Sequence, residues 1–446
     1  MNIVDQINNY PRFSQHIGLE RIKRLLDTLD LSYAPYPYIH IAGTKGKGST
    51  AVFFANILRE AGYKVGLFTS PHLQSITERI CIDLQAISLD RLSQLYEIIH
   101  QVLQELKMFD VSYFELITAI ALLEFKLQKT EVVILETGMG GRLDATNALT
   151  NPILTVLTTI GLDHLDRLGP DLASIAREKA AIIKPSAAVL SAPQAALVEK
   201  IIQEKANEKQ VHHYSIYRDY QVSSYPSTSS DKEQFDVLSY VTGIPYTELT
   251  ISLLGKHQAI NACLALAGSE LLTKKGFIIR EHHIREGLKK AAWPGRFELL
   301  KVNGKLLIMD GAHNPDSTKA LSETIKERFP DKKIHIVYSS LYNKLYDQNL
   351  INLAQVAQSF YFTKISHHSS VDPDELMQWM DINMPGIPCF SEYDEWLCFR
   401  KAMESAKPET DLVCVTGSLY YIGWLRSKLA LPFYLQNGKE ILEVNL

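Results

Sequence analysis

Short β-prone runs alternate with apolar helical segments along most of the chain, and this alternation restricts the fold more than any other feature of the sequence. The run "YPYIHIA" is followed by a glycine-rich turn, by the helical segment "STAVFFANILREAG" and by a second buried run, "YKVGLFTSP". We expect that helix to begin at Ser49 or Thr50 and to end at Gly62. Repeated strand, turn and helix units are typical of a mostly parallel sheet covered by helices on both faces.

The length of the chain indicates more than one domain, because 446 residues are too many for a single hydrophobic core. The stretch "KKAAWPGRFELLKVNG" combines Pro, Gly and mixed charge, and beyond it "KLLIMDGAHNP" and "KIHIVYSS" predict the strands of a new α/β unit. We therefore place the domain boundary near Gly295. The polar, serine-rich stretch "YQVSSYPSTSSDKEQFDV" predicts a surface excursion or the tip of a hairpin.

Composition and charge exclude several classes of partner. A formal net charge of -4 gives no electrostatic reason to bind nucleic acid or an anionic membrane, and no apolar run reaches bilayer length. The five cysteines are scattered without a C-x-x-C pair, which argues against a zinc cage or a disulfide framework and suits a reducing compartment. The first residues lack the basic start and apolar run of a secretion signal. We expect a cytoplasmic enzyme, by default a monomer.

The glycine-rich turn "HIAGTKGKGST" is similar to a phosphate-binding loop but departs from the common G-x-x-x-x-G-K-[ST] pattern. Ile41 stands where the first glycine belongs, and Gly48 follows Lys47 where a hydroxyl residue belongs. Small residues between a strand and a helix allow backbone amides and the helix N-terminus to face an anion. From these residues alone two interpretations stay open, a connecting turn and a shorter nucleotide loop.

Polar residues follow three further predicted strands. Ser70 lies in "TSPH", Glu136 ends the apolar run "VVIL", and His164 lies between two aspartates in "GLDHLD". Ligands collect at the carboxyl ends of strands in open α/β sheets, so we expect Ser49 and these three residues to converge on one crevice. A carboxylate that ends a buried strand is costly unless it is paired or bound to metal, and in nucleotide enzymes such an acid commonly holds magnesium.

Taken together, the motifs resemble those of the folylpolyglutamate synthase/dihydrofolate synthase group within the Mur ligase superfamily. The matching stretches follow one another in family order over nearly the whole chain: "HIAGTKGKGST", "GLFTSPHL", "TERI", "FELITA", "LETGMGGRLDATN", "TTIGLDHLDRLG", "REKAAIIKP", "GKHQAINA", "PGRFE", "MDGAHNP" and "VTGSLYYIG". The glycine turn resembles that family's variant loop, in which an extra glycine separates the lysine from the hydroxyl residue.

The resemblance implies a fold and a reaction. The fold is an N-terminal P-loop-type ATPase domain with a mostly parallel sheet, over residues 1–295, and a smaller Rossmann-like glutamate-ligase domain, over residues 296–446. The reaction is an ATP-dependent ligation of L-glutamate onto the carboxylate of a folate or of dihydropteroate, through an acyl phosphate. ATP on one domain and glutamate on the other imply that the domains close on binding.

The resemblance also implies roles for individual residues. ATP contacts are expected from Thr44, Lys45, Gly46, Lys47, Gly48, Ser49, Asn261, Arg296 and Asp310. Ser70, Glu136 and His164 are expected to hold Mg²⁺, and the histidine would also suit Mn²⁺. Catalytic roles fall to Lys47, to Lys179 as a carbamate and to His313 near the incoming glutamate. The pterin is expected to contact Ser112, Tyr113, Phe114, Glu115, Leu143, Asp144 and Ala145.

Departures from the family pattern are few. Lys45 lies where the family more commonly has Asn. Met139 lies where it usually has Leu or Ile, and Ala181 lies where Gly is frequent. The stretch "SSLYNKLYDQN" matches poorly the acidic, lysine-rich loop of the family, which leaves the residues of the glutamate site undefined.

Two other functions remain as alternatives. A cell-wall Mur ligase shares the nucleotide loop and the metal-binding residues, but it normally carries an extra N-terminal domain for its UDP group. Here only about forty residues precede the loop. A nucleotide-dependent switch without ligation would leave the lysine of "REKAA" and the segment "DGAHNP" without a role.

Overall fold

The computed structural model describes residues 2–12, 18–185, 187–225, 231–342, 344–436 and 441–445. The chain divides into two compact units. The larger unit contains most of the chain up to Ala291, and the smaller unit contains Ala292–Leu446 together with Ser252–Lys256 and a segment that ends at Glu233. Each unit is an α/β structure built on its own large sheet.

An eight-stranded sheet forms the centre of the larger unit. Its strands are β1 (Tyr38–Ala42), β2 (Val65–Phe68), β3 (Ile80–Ile82), β4 (Gln85–Ala86), β5 (Val132–Glu136), β6 (Leu154–Leu157), β7 (Ala188–Ser191) and β8 (His213–Ser215). They lie in the order β4-β3-β2-β5-β1-β6-β7-β8. The strands from β2 to β8 in this order are parallel, while β3 and β4 extend the β2 edge as antiparallel neighbours. Both β1 and β5 are buried over their whole length, as in a sheet covered on both faces.

Ten helices of the described residues belong to the larger unit. They are α1 (Ile3–Asn8), α2 (Glu20–Thr28), α3 (Lys47–Glu60), α4 (Leu89–Glu105), α5 (Tyr113–Leu127), α6 (Leu165–Leu168), α7 (Leu172–Ala180), α8 (Ala196–Glu208), α9 (Lys256–Thr273) and α10 (Glu281–Lys290). The apolar helix α5 is buried from Glu115 to Phe125. Helix α3 begins two residues before the expected Ser49, because Gly46 adopts a left-handed φ of 83° and serves as its N-cap.

A small sheet of β9 (Tyr220–Tyr225), β10 (Glu233–Ser239) and β11 (Pro245–Ile251) lies in the order β11-β10-β9. Strands β9 and β10 are antiparallel, as predicted for the arms of a hairpin, and residues 226–230 lie outside the described residues. The buried carboxylate of Glu270 in α9 accepts hydrogen bonds from the hydroxyls of Ser239, Thr242 and Tyr246, at 2.8 to 2.9 Å. These bonds fix the small sheet to α9.

The smaller unit has a seven-stranded sheet with helices packed around it. Its strands are β12 (Glu298–Val302), β13 (Lys305–Met309), β14 (Lys333–Tyr338), β15 (Ala357–Thr363), β16 (Cys389–Glu392), β17 (Asp411–Thr416) and β18 (Leu442–Val444). Its helices are α11 (Pro315–Arg328), α12 (Tyr346–Ala354), α13 (Pro373–Asn383), α14 (Glu395–Ser405) and α15 (Leu419–Lys428). The order is β16-β15-β14-β17-β13-β12-β18, and only β12 and β13 pair antiparallel among these described strands.

The two sheets confirm the predicted fold class, a larger unit with a mostly parallel sheet and a smaller α/β unit. The core of the smaller unit is apolar along β14 and β15, where Ile336, Phe360 and Phe362 are fully buried. All five cysteines are free thiols. Within the described ranges, no helix has both the length and the apolar character needed to cross a bilayer.

Candidate active site

The glycine-rich loop joins β1 to α3 at the carboxyl edge of the larger sheet. The backbone N–H groups of Thr44 and Lys45 both donate to the carbonyl oxygen of Thr159, at 2.9 and 3.2 Å. By contrast, the N–H groups of Lys47, Gly48 and Ser49 lie in the first turn of α3, where no intrahelical acceptor is available. These amides stand at the positive end of the helix dipole, which makes them the part of the loop best suited to bind phosphate.

Helix α9 passes directly beside this loop. A Cβ atom placed on Gly46 would lie 2.3 Å from Oδ1 of Asn261, so a larger residue would displace that side chain and would also be strained by the φ of 83°. Asn261 is buried, and its Nδ2 donates to Oε1 of Gln258 at 2.9 Å. The structure therefore brings Asn261, the predicted adenine contact, against the glycine-rich loop.

Two lysines point at one backbone carbonyl of the loop. Nζ of Lys47 donates to the oxygen of Gly43 at 3.2 Å, and Nζ of Lys179, from α7, donates to the same oxygen at 2.9 Å. Lys179 is only 4% exposed. Burial, followed by the nearby charge of Lys47, lowers the pKa of Lys179 to about 7. A large share of this amine is therefore neutral, and hence nucleophilic, at physiological pH.

Glu136 ends β5 beside the loop, with a nearly buried side chain. Its Oε2 accepts a hydrogen bond from the backbone N–H of Ser70 at 3.0 Å, and its Oε1 lies 3.9 Å from Nζ of Lys47. The Glu136 carboxylate, held by the backbone N–H of Ser70, offers a hard oxygen ligand of the kind that Mg²⁺ prefers, with the remaining positions left to other oxygen ligands, water and phosphate. The residues present fit a magnesium ion.

His164, the third predicted metal ligand, is the N-cap of α6 and has a left-handed φ of 50°. Its side chain is 47% exposed, and its Nε2 lies 3.8 Å from Oδ2 of Asp163. No group of three His, Cys, Asp or Glu side chains in the described part of the chain is arranged to hold a metal. The structure thus brings Ser70 and Glu136 together, while the metal role of His164 stays a prediction.

In the smaller unit, Asp310 directly follows β13. Its carboxylate accepts hydrogen bonds from the backbone N–H groups of Phe297 at 2.7 Å and Ala312 at 2.8 Å. Burial raises the pKa of Asp310, and the charge of Arg296 and these two amides oppose the shift. The structure therefore places the predicted phosphate and ribose contacts, Arg296 and Asp310, beside each other.

His313 lies on the same segment. Its Nδ1 is 2.8 Å from the carbonyl oxygen of Gly311, which can only accept a hydrogen bond. The neutral ring therefore carries its proton on Nδ1, and Nε2 is the nitrogen that can accept one. Nδ2 of Asn349 donates to the His313 carbonyl at 3.3 Å, which further fixes the segment.

Known protein families match this chain in the same two parts. The family profile of the Mur ligase middle domain matches residues 41–268, and that of the Mur ligase glutamate ligase domain matches residues 295–419. Over 424 residues the chain is 34% identical to the dihydrofolate synthase/folylpolyglutamate synthase of Bacillus subtilis, covering 94% of this chain and 96% of the relative. The chain belongs to the folylpolyglutamate synthase/dihydrofolate synthase family of Mur ligases.

Solved structures of family members agree with this assignment. The crystal structure of folylpolyglutamate synthase from Thermotoga maritima superposes with a TM-score of 0.84 at 31% identity, covering 96% of both chains. Escherichia coli FolC in complex with DHPP and ADP superposes with a TM-score of 0.84 at 29% identity, again over 96% of both chains. As a member of this family, the chain is an ATP-dependent ligase.

In this Mur ligase, the first predicted pterin segment starts helix α5. Oγ of Ser112 donates to Oε2 of Glu115 at 2.7 Å, and the two residues form a capping box. Glu115 also pairs with Arg21 at 3.3 Å. Both side chains thus have a structural role at the start of the helix, and their contact with a pterin stays a prediction.

The aromatic residues between them have different neighbours. The guanidinium of Arg79 lies 5.4 Å from the ring centre of Tyr113, and the ring of Phe114 lies 5.9 Å from that of Phe68. A flat ligand can stack on rings of this kind. These two rings are therefore better suited to a pterin than the capping pair.

The second predicted pterin segment follows β5. Leu143 is 37% exposed, whereas Asp144 and Ala145 are buried. Burial raises the pKa of Asp144, and its hydrogen bonds to Thr146, Met139 and Gly138 oppose this shift. Leu143 is accessible to a ligand, and Asp144 is occupied within the protein.

Sequence reasoning missed the groups that support the glycine-rich loop and the segment that follows β6. Thr44 Oγ1 donates to the carbonyl of Gly161 at 3.0 Å, and the Gln194 side chain bonds the carbonyl of Thr158 and the N–H of Ile160, each at 3.0 Å. The contact between Thr44 and Gly161 had a signal in the sequence, since Gly161 lies at the polar end of the predicted strand "LTTIG". Nothing in the sequence signals Gln194, because it lies in a loop far along the chain.

Proposed function

We propose that this ligase joins L-glutamate to the carboxylate of a folate or of dihydropteroate, and converts ATP to ADP and phosphate. The observation that carries the proposal is the placement of Lys47 and the buried Lys179 on one carbonyl of the phosphate loop. The Lys47 cation beside a helix N-terminus and a buried carboxylate suits phosphoryl transfer. Support for the acceptor comes from the relatives, which include a dihydrofolate synthase/folylpolyglutamate synthase and a FolC complex with DHPP and ADP.

The chemistry requires activation of the acceptor. A free carboxylate resists attack by an amine because it is anionic and its oxygen is a poor leaving group. An oxygen of the acceptor carboxylate takes the γ-phosphoryl group of ATP, ADP leaves, and the amine of glutamate then displaces phosphate from the acyl carbon. Lys47 and the first amides of α3 offset the charge that gathers on the transferred group.

Ser70, Glu136 and His164 would hold Mg²⁺ in this scheme, and Mn²⁺ would be tolerated at the histidine. When bound, the metal supplies positive charge to the phosphate oxygens. The contact of Glu136 with the Ser70 amide keeps the carboxylate at the loop, where its charge faces Lys47.

Lys179 acts as a carbamate in the proposed mechanism. Its neutral amine attacks the carbon of CO₂, an N–C bond forms while one C=O π pair moves to oxygen, and the nitrogen loses a proton to water, so that a neutral amine becomes an anionic carbamate. The pKa of about 7 supports this step, since the reacting amine must be neutral. The carbamate can orient a metal ligand or a water molecule, as carboxylates that hydrogen-bond to metal ligands do.

The proposed domain boundary is near residue 295, with the ATP-binding domain before it and the glutamate-ligase domain from residue 296 onward. In the second domain, Arg296 would meet phosphate, Asp310 the ribose, and Nε2 of His313 would lie near the glutamate amine. The remaining ATP contacts would be Asn261 and the loop from Thr44 to Ser49, chiefly through the amides of its last three residues. Tyr113, Phe114 and Leu143 are the proposed pterin contacts with accessible or stacking surfaces.

We also propose that the enzyme acts as a monomer in the cytoplasm. Five free thiols suit a reducing compartment.

The test is an assay of ADP release that crosses dihydropteroate, tetrahydrofolate and a UDP-muramoyl acceptor with glutamate and other amino acids. We expect ADP only when glutamate and a pteridine acceptor are both present. Release that requires the UDP acceptor would identify a cell-wall ligase, and release with no acceptor would identify a nucleotide switch. Either result would overturn the proposal.

A further inference from the structure

A chain of buried hydrogen bonds lies behind the predicted pterin segment and involves two residues without an assigned role, His40 and Thr146. Nε2 of His40, on β1, lies 2.8 Å from Oγ1 of Thr146. That hydroxyl lies 2.6 Å from Oδ1 of Asp144. Oδ2 of Asp144 in turn accepts hydrogen bonds from the backbone N–H groups of Gly138 at 2.8 Å and Met139 at 3.0 Å.

The direction of each bond follows from the number of protons available. Asp144 receives donors on both oxygens, including the N–H of Thr146 at 3.1 Å, as an ionised carboxylate does. The Thr146 hydroxyl has one hydrogen, and the short bond to the carboxylate takes it. Its oxygen must then accept from His40, so the His40 ring carries its proton on Nε2.

The His40 ring stays neutral, with its proton on Nε2. It is fully buried, and burial lowers its pKa to about 3, so the ring is neutral at physiological pH. Its Nδ1 has no hydrogen-bond partner among the residues that the structure describes. Burying a histidine with one ring nitrogen unsatisfied costs folding free energy. The hydrogen bond from Nε2 to Thr146 stabilises the ring and offsets part of this cost.

The network connects two parts of the candidate site. Asp144 belongs to the predicted pterin segment, and the amides that it holds belong to the turn that follows Glu136. Thr146 and Asp144 are buried, at 0% and 5% exposure, so neither is free to turn toward solvent. A shift of Asp144 would move its neighbour Leu143, which is accessible to a ligand, together with the turn at Gly138.

We propose that His40 and Thr146 are positioning residues that hold Asp144 and thereby set the affinity of the enzyme for its pteridine acceptor. The inference rests on the proposed function, because it concerns the acceptor site of that reaction. Neither residue touches the reacting atoms. Their effect is on the placement of the segment Leu143–Ala145 and of the turn beside it.

The test is steady-state kinetics of Thr146→Val, which keeps the shape of the side chain but removes its hydroxyl. We expect the KM for dihydropteroate or tetrahydrofolate to rise about tenfold, as for one lost hydrogen bond to a charged group, with the KM for ATP changed less than about twofold. Thr146→Ser restores the hydroxyl and should return the acceptor KM to within about threefold of the parent value.

Thr155→Val is the matched control. Thr155 lies on β6 directly beside His40, is fully buried, and its hydroxyl has no partner among the described residues. Removing this hydroxyl should leave the acceptor KM unchanged, because it takes no part in the network.

A second pair of variants tests His40. His40→Gln can donate an amide N–H to Thr146 and should keep most of the acceptor affinity, whereas His40→Leu should lose it as Thr146→Val does. Equal changes in the KM values for ATP and acceptor, or a Ser variant as defective as the Val variant, would overturn the inference. So would a Thr146→Val enzyme with parental kinetics. A parent enzyme that ligates no pteridine would instead overturn the proposed function.

Discussion

The carboxyl edges of the two large sheets both bury an ionisable group, but the neighbouring groups act on its charge in opposite ways. At the edge of the larger sheet, Lys179 lies beside a second lysine, so burial and repulsion both disfavour its charge. At the edge of the smaller sheet, the charge of Asp310 is disfavoured by burial but supported by two backbone amides and Arg296. At Lys179 the neighbouring charge adds to the effect of burial, whereas at Asp310 the amides and Arg296 oppose burial, which still raises the pKa of the carboxyl.

The strongest test of this contrast is Lys179→Ala. If the neutral amine exists to form a carbamate, its removal should abolish ligation, and acetate or another small carboxylic acid should partly restore it by filling the vacated space. Lys126→Ala is the control, since Lys126 also donates to backbone carbonyls but lies away from the loop. An alanine variant at position 179 with full activity, or an unmodified amine found by mass spectrometry in active enzyme, would show that the carbamate role is wrong.

The next largest effect is expected at Glu136. Glu136→Gln keeps the shape of the side chain but removes the charge that would hold magnesium, so turnover should fall by about two orders of magnitude or more. Glu124→Gln is a matched control, because Glu124 is equally buried and pairs with Arg91 far from the loop. Near-normal turnover of the Glu136 variant would contradict the proposal that Glu136 holds magnesium.

Arg296 should show a smaller and more selective effect. The amides that we propose to bind phosphate in the ground state belong to α3 and are untouched by Arg296→Ala. Turnover should therefore fall by about tenfold or more, while the dissociation constant for nucleotide changes less than about threefold. Arg400→Ala, on the exposed face of α14, should change neither quantity. Equal losses in both would make Arg296 an ordinary ground-state contact.

The smallest effect is a dependence of stability on pH. Lys179 has a pKa of about 7 in the folded protein and about 10.4 in an unfolded chain. Between these values the unfolded chain binds more protons, so the free energy of unfolding should rise with pH, by at most about 1.4 kcal/mol per unit. Below pH 7 both states are protonated, and the contribution levels off.

This slope can be measured by urea unfolding of the parent and of Lys179→Met in buffers free of CO₂. The parent should gain stability relative to the variant as the pH rises from 7 toward 10. Parallel curves for the two proteins would show that the amine is not perturbed.

Much of the fold could be predicted because its signals are local. The runs "YIHIA" and "VVILE" are apolar throughout, as strands buried on both faces must be, and both occupy the middle of the larger sheet. The short antiparallel strands β3 and β4 were not predicted, since three and two residues carry no periodic pattern. Helix α3 begins two residues before its predicted start, because Gly46, with a left-handed φ of 83°, is its N-cap.

The candidate site was predictable to a lesser degree. Residues that end strands, such as Glu136, were found from their position, because strand ends of a parallel sheet meet at one edge. The Gly43 carbonyl, which accepts hydrogen bonds from both Lys47 and Lys179, could not be predicted, since every residue has a backbone carbonyl and no residue type signals its partner. The same holds for Gln194 and for the bond from His40 to Thr146, which join segments far apart along the chain.

The central claim is that the acceptor carboxylate is activated by phosphorylation. The direct measurement is a turnover with acceptor labelled by oxygen-18 in that carboxylate, followed by mass spectrometry of the phosphate released. Because the carboxylate oxygen that takes the phosphoryl group leaves with it, the account predicts a labelled oxygen in the phosphate and an amide that retains the other. Phosphate without the label, with glutamate nonetheless joined to the acceptor, would contradict the account.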